Sequence, residues 1–447
     1  MSLLGGAARS LYGALLWLSQ PLLRRKLARR AIAEPGYAVA VEERFGRYDV
    51  PARSGAIWVH AVSLGETRAA ALLLAELRRV RPDLRLLLTH GTATGRAEGT
   101  RLLQPGDVQV WLPWDTPRAV ARFLDHFQPC AGVLLETEVW PNLVAACRSR
   151  GVPLMLANAR LNEHSLRRAR RLGVLARPAY GTLAAVWAQT EDDARRLRQL
   201  GAPVCGVFGN LKFDATPPAE LLARGRSWRA GFGRPVVLLA SSREGEEALL
   251  LEQIGAVPSA KRSLSAINNE VAEGFSACQW LIVPRHPQRF DAVAADLAAQ
   301  PGAVSRRSDW ACDGPPAPAP GRGAVWLGDS LGEMPLYYAL ADVALLGGSF
   351  APLGGQNLIE AAACGCPVIL GPHTFNFAEA AQQAISVGAA CRVDDMAQAV
   401  SRAQALLADP PALAAMREAA VAFAAAHRGA AARTVSALTA LISPAAR

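Results

Sequence analysis

Three charged side chains stand where proton transfer or charge stabilisation could be done. Glu66 closes the run His60-Ala61-Val62-Ser63-Leu64-Gly65-Glu66, at the junction of an apolar strand, Ile57–Val62, and a long helix, Thr67–Arg79. Gly65 permits a tight turn, Ser63 can cap, and the helix dipole favours an ionised carboxylate in the first turn, which makes Glu66 a proton acceptor. A capping carboxylate with no other duty is the alternative. Glu136 and Glu138 follow a second apolar strand, Gly132–Leu135, ahead of Trp140-Pro141-Asn142. Two carboxylates at a strand end are costly unless solvated, paired or used. Glu136 can stabilise positive charge developing on a sugar ring, or pair with an arginine such as Arg160. Lys212, in Gly209-Asn210-Leu211-Lys212-Phe213-Asp214, is one of three lysines against 45 arginines. A chain so biased keeps a lysine where a compact ammonium is needed and a guanidinium does not fit.

A second group of residues suits an anionic ligand. Gly347 to Pro372 reads as strand, paired glycines, loop, a helix opened by Asn357 and a further strand. Backbone N–H groups beside a helix N-terminus favour a phosphate. Glu360, one turn in, suits the hydroxyls of a ribose, so the segment reads as a nucleotide pocket for an activated sugar, or else as a tightly packed turn. Arg285, in Pro284-Arg285-His286-Pro287, can fork onto a phosphate, with His286 and Arg289 as lesser candidates. Gly328-Asp329-Ser330-Leu331-Gly332-Glu333-Met334 is another loop of amides at a helix start. No DxD pair suggests a divalent cation on a diphosphate. Neither a Walker loop nor a GxGxxG opening a helix is present, which argues against ATPase and dehydrogenase chemistry.

The elements that must position these residues alternate. Apolar runs at Ile57–Val62, Leu84–Thr89, Val108–Leu112, Gly132–Leu135, Leu154–Ala157, Ala185–Ala188 and Val204–Phe208 predict one set of strands. Val236–Ser241, Leu281–Val283, Ala324–Leu327, Val343–Leu346 and Pro367–Leu370 predict another. Strands alternating with helices predict parallel sheets, and 447 residues are too many for one core. The expected fold class is α/β: two Rossmann-like, doubly wound domains facing a cleft at the carboxyl ends of their strands. The expected divisions are residues 1–30 as a membrane-associating segment, 31–215 as the first domain, 216–235 as a linker, 236–420 as the second domain and 421–447 as a helix packing back on the first. Gln253–Cys278 and Gly314–Gly323 read as surface insertions.

Composition narrows the partners. The net charge of +10 is carried almost wholly by arginine, which suits anionic ligands or an anionic membrane surface. Eight cysteines without a CxxC pair argue against a zinc site or a disulfide framework. Leu11–Leu23 carries no charge and Arg24–Arg30 is strongly basic, the reverse of a signal peptide. Thirteen apolar residues are short of a span, which points to an anchor gripping lipid headgroups, or to a helix packed on its own domain. Nucleic-acid binding is disfavoured, because the basic run adjoins the apolar stretch and lacks interleaved aromatics.

Taken in order, HAVSLGE, LETEVWPN, ANARL, GNLKFD, REGEE, PRHPQRF, GDSLGEM, GGSFAPLGGQNLIEAA and GPHTFNF resemble the 3-deoxy-D-manno-octulosonic acid (Kdo) transferases of lipopolysaccharide synthesis. The resemblance implies a GT-B, inverting, metal-independent glycosyltransferase that moves Kdo from CMP-Kdo to lipid IVA at the cytoplasmic face of the inner membrane. It implies Glu66 as catalytic base, with Glu136 and Lys212 stabilising the transition state. It assigns CMP to Pro284, Arg285, Gly332, Glu333, Met334, Asn357, Leu358, Ile359 and Glu360. Competing expectations are a GT-B enzyme using a UDP-sugar, either a lipid-acceptor transferase or a sugar epimerase, and a non-catalytic membrane scaffold. Gln288 and the length of Gln253–Cys278 depart from the family pattern.

Overall fold

Strands buried on both faces cannot alternate polar and apolar residues, and the central strands here do not. In a computed structural model describing residues 3–52, 54–254, 278–299, 304–311, 314–315 and 325–442, they form two seven-stranded sheets, every paired strand parallel. The first has the order β3-β2-β1-β4-β5-β6-β7: β1 Ile57–His60, β2 Leu86–His90, β3 Val108–Trp111, β4 Ala131–Leu135, β5 Leu154–Ala159, β6 Ala185–Ala188 and β7 Val204–Val207. The second has the order β10-β11-β9-β8-β12-β13-β14: β8 Val236–Ser242, β9 Gln279–Pro284, β10 Val304–Arg306, β11 Val325–Leu327, β12 Val343–Leu346, β13 Val368–Leu370 and β14 Ala390–Arg392. Both are doubly wound. The direction of winding reverses between β1 and β4 in one sheet and between β8 and β12 in the other, and such switch points are where ligands sit.

The chain divides into two compact units, Met1–Asp214 with Arg428–Arg447, and Ala215–His427. In the first, the helix Leu64–Val80 buries Ala69, Ala70, Leu73, Leu74 and Leu77, spacings that put one apolar stripe against the sheet. The final helix, Ala430–Ile442, adds Ala431, Val435 and Leu438 to the same core. Its start is held by Asp214, whose carboxylate accepts the backbone N–H groups of Gly429 and Ala431. Residues 216–235, expected as a linker, instead contain a helix, Ala219–Gly231, that packs on the helix Met334–Leu340 of the second unit. Two strands escaped the sequence reading, β10 and β14, because each is three residues at a sheet edge, half-exposed throughout in β10 and running from buried to exposed in β14, which leaves no apolar run.

The N-terminal stretch is two helices, Leu3–Leu18 and Gln20–Ala33, and not one anchor helix. Pro21, in the first turn of the second, has no N–H to continue the ladder. Among the described residues no helix is long and apolar enough to cross a membrane. The first helix approaches its own unit closely at Gly13, where a Cβ would meet Pro117 at 2.9 Å. Leu11, Leu15, Trp17, Leu18 and Leu22 stay exposed. Most of the insertion read at Gln253–Cys278 (255–277) lies outside the described residues, as do 316–323 of the proline-rich loop.

Candidate active site

In the first unit the expected catalytic residues gather at the switch point. Glu66 lies just beyond β1 and Glu136 just beyond β4, neighbouring strands. Ser63 caps the helix Leu64–Val80 by accepting the N–H of Glu66 at 3.3 Å, and its hydroxyl donates back to Glu66 Oε1 at 3.1 Å. Glu66 Oε2 accepts the N–H of Val62 at 2.7 Å. This is close to a capping box, with Glu66 reaching the N–H of Val62 in place of that of the capping Ser63, so the bland role and the catalytic one share a side chain. Gly65 lies within the helix without a positive φ, and a Cβ there would meet nothing nearer than Ser63 Oγ at 4.0 Å, so no tight turn requires it.

The expectation that the dipole keeps Glu66 readily ionised is overturned by its surroundings. Burial pushes its carboxyl up to about 7, aided by the charges of Glu136 and Glu138 and opposed by the hydrogen bonds from Val62 and Ser63. Desolvation of the charged form outweighs the helix terminus. Glu138 is raised too, chiefly by burial, although Trp140 Nε1 donates to it at 2.9 Å. Glu136 is 6% exposed and sits at φ +60°, an uncommon conformation for a residue with a side chain. Its Oε2 lies 2.9 Å from Arg160 Nε and its Oε1 lies 4.0 Å from Lys212 Nζ. The alternative of pairing with Arg160 is thus realised, and the same carboxylate also faces Lys212. His60 and His90 are buried neutral, pushed down to about 3 and about 4 by desolvation, and serve as hydrogen-bonded core.

In the second unit the residues flank β8, β9 and β12. Arg285 follows β9, and its Nε donates to Gln356 Oε1 at 3.1 Å, tying two of the expected nucleotide loops together. The glycine loop itself is not open to a phosphate as expected. The carboxylate of Glu246, fully buried, accepts the N–H groups of Gly348 at 2.7 Å, Phe350 at 3.1 Å, Ala351 at 3.2 Å and Arg243 at 2.9 Å. An internal anion thus occupies the nest that the sequence offers to an external one. Gly347 is required by close packing, since a Cβ would strike the Ser241 carbonyl.

Among the other expected nucleotide contacts, Glu333 is already committed. It pairs with Arg224 and with Arg307 (Nε to Oε2, 3.0 Å), accepts the Ser330 hydroxyl at 2.6 Å, and is held below the usual carboxylate range by these bonds despite burial. Leu358 and Ile359 are buried at 1% exposure, so only their backbone is available. Asn357 caps the short helix Leu358–Ala363 by accepting the N–H of Ile359 at 3.1 Å, with Glu360 half-buried one turn on. Pro284 ends β9, buried; Gly332 is exposed; and Met334 Sδ accepts the Ser241 hydroxyl at 3.9 Å. Arg289 is bound by Glu247 at 2.8 Å and 3.0 Å, a bidentate pair. Among the described residues no group of three His, Cys, Asp or Glu could hold a metal ion.

Comparison with known proteins identifies the family. The family model described as 3-Deoxy-D-manno-octulosonic-acid transferase (kdotransferase) matches residues 40–215. The 3-deoxy-D-manno-octulosonic acid transferase of Bordetella pertussis is 49% identical over 439 residues, 96% of this chain and 98% of its own. That of Haemophilus influenzae is 33% identical over 408 residues, 89% of this chain and 90% of its own. Among solved structures, UDP-GlcNAc 2-epimerase from Neisseria meningitidis shares the fold with TM-score 0.55 at 14% identity, covering 86% of this chain and 99% of its own. A glycosyltransferase from Rickettsia africae does so with TM-score 0.53 at 11% identity, covering 88% and 100%. With relatives this similar over almost its whole length, the chain belongs to the 3-deoxy-D-manno-octulosonic acid transferase family and is a glycosyltransferase of the GT-B fold.

Proposed function

We propose that the protein transfers Kdo from CMP-Kdo to lipid IVA with inversion and without a metal, at the cytoplasmic face of the inner membrane. One observation carries the mechanism: a carboxyl raised to about 7 stands beside a strained carboxylate that faces a lysine. A base poised near neutrality takes the proton of an acceptor hydroxyl as that oxygen attacks. The sugar's bond to the cytidylate phosphate breaks, and the pair leaves through an oxocarbenium-like state. Glu136 favours the positive charge on the ring, and Lys212 offsets negative charge on the reacting groups. Arg285 is the guanidinium suited to the cytidylate phosphate. Attack by the activated hydroxyl on the face opposite the leaving group inverts the anomeric centre. The exposed Leu11, Leu15, Trp17 and Leu18, followed by the basic Arg24–Arg30, suit a lipid surface that carries the acceptor.

Incubating the protein with CMP-Kdo and lipid IVA, then weighing the product by mass spectrometry, is expected to give lipid IVA heavier by whole Kdo units, with no loss on adding EDTA. Displacement of CMP-Kdo by UDP-sugars but not by CMP would select the UDP-sugar reading instead. The rate is expected to climb as pH rises through about 7 and to level off above it, because only the ionised Glu66 accepts a proton. Ser63→Ala removes a hydrogen bond that favours the ionised form, so its rising limb moves to higher pH. A limb near pH 4.5 in the parent protein would contradict this role for a buried Glu66.

A further inference from the structure

Lys212 sits on a short 3₁₀ turn, Leu211–Asp214, which has too few internal bonds to fix a side chain by itself. The far end of the turn is held by the bonds of Asp214 to Gly429 and Ala431, and its start by a circuit of amides from Asn158, Gln189 and Asn210, the first two remote in sequence. Asn158 Oδ1 accepts the N–H of Leu211 at 3.0 Å. The Asn158 carbonyl accepts Gln189 Nε2 at 2.9 Å, Gln189 Oε1 accepts Asn210 Nδ2 at 3.1 Å, and Asn210 Oδ1 accepts the N–H of Lys212 itself at 3.0 Å. The residues on either side of Lys212's own N–H are thus both tied to Asn158, one directly and one through two side chains.

Asn158 carries two further marks of a residue kept for position. It is 2% exposed, and its backbone is left-handed at φ +51°, at the register shift between β5 and β6. Its Nδ2 is buried without a partner, and because Oδ1 faces the Leu211 N–H, turning the amide over cannot relieve it. A buried orphan donor and a left-handed backbone each oppose folding, and persist where the surroundings over-determine them. The kink reaches both members of the charged pair. Glu136 donates its N–H to the Ala157 carbonyl at 3.1 Å and accepts the Arg160 N–H at 3.3 Å, the residues bracketing the kink.

We infer that Asn158, Gln189 and Asn210 are positioning residues for Lys212, setting its ammonium against Glu136 through a hydrogen-bonded circuit closed by the bend at Asn158. The inference rests on the proposed reading of Lys212 as a group acting on the reacting sugar. Gln189 and Asn210 are the places to test it, since both are half-buried and neither carries the strained backbone.

Gln189→Ala is expected to lower kcat about tenfold to a hundredfold, the scale of a small misplacement at a reacting centre, with KM for CMP-Kdo and the melting temperature near the parent values. Asn210→Ser is expected to do the same and serves if the first variant folds poorly. In the Lys212→Ala background neither change should lower kcat further, because the group they position is gone. Full kcat in both variants, or equal losses with and without Lys212, would overturn the inference. Full activity of Lys212→Ala alone would overturn the reading of Lys212 and the inference together, an outcome visible in that single variant.

Discussion

Glu66→Gln abolishes transfer while leaving the affinity for CMP at the parent value: this is the expected result with the largest catalytic effect. The amide oxygen can still accept the Val62 N–H, so the helix start keeps its main tie. What disappears is the only feature an amide lacks, a site for the acceptor's proton. General-base catalysis contributes roughly 10²–10⁴-fold, about 3–5 kcal/mol of barrier. The groups assigned to the nucleotide, from Pro284 to Glu360, belong to the other compact unit. Single-turnover rates with CMP-Kdo and calorimetric titration with CMP separate the two effects. Turnover within tenfold of the parent would reduce Glu66 to a capping residue, and lost CMP affinity would refute the division of labour.

The second large effect is expected at a residue no nucleotide need touch. Glu246→Ala strips four backbone N–H groups of one shared acceptor. Each buried donor left unpaired costs about 1–3 kcal/mol, and water entering the hole recovers part of that, so a net loss of at least about 3 kcal/mol is expected. The glycine loop between β12 and the helix Leu358–Ala363 should lose its shape, and with it CMP binding. Glu246→Gln is expected to fall between, since one carboxylate oxygen becomes a donor aimed at donors. Thermal melting followed by both far-ultraviolet dichroism and CMP titration checks this. A Glu246→Ala protein that melts and binds CMP like the parent would dismiss the internal anion as incidental.

What the chain discloses before folding is uneven, for physical reasons. Central strands such as Ala185–Ala188 and Val343–Leu346 stand where uninterrupted apolar runs place them, because burial on both faces writes directly into residue type. Ser63 and Asn357 announce helix starts through chemistry confined to a few residues. Glu66, Glu136 and Lys212 stand out in the sequence because each is a charge at a strand end or an outlier in composition. The glycine loop was misread because its anion, Glu246, lies a hundred residues upstream and looks like any helix-opening acid. Glu333 looked available for the same reason: Arg224 and Arg307, which saturate it, are remote in sequence. Asn158, Gln189 and Asn210 are common polar residues, and nothing local distinguishes them until the fold closes their circuit.

The interleaving of the two units carries a consequence for biosynthesis. The first unit's apolar cluster includes Val435 and Leu438, whereas every residue of the second lies between Ala215 and His427. A growing polypeptide therefore leaves the part of Leu64–Val80 that packs against Ala430–Ile442 uncovered until those later residues have been made. The later-made half can mature first, reversing the usual vectorial order. Stop codons placed just before Ala430 should consequently yield chaperone-bound, protease-sensitive chains, even though none of the proposed reacting groups is missing.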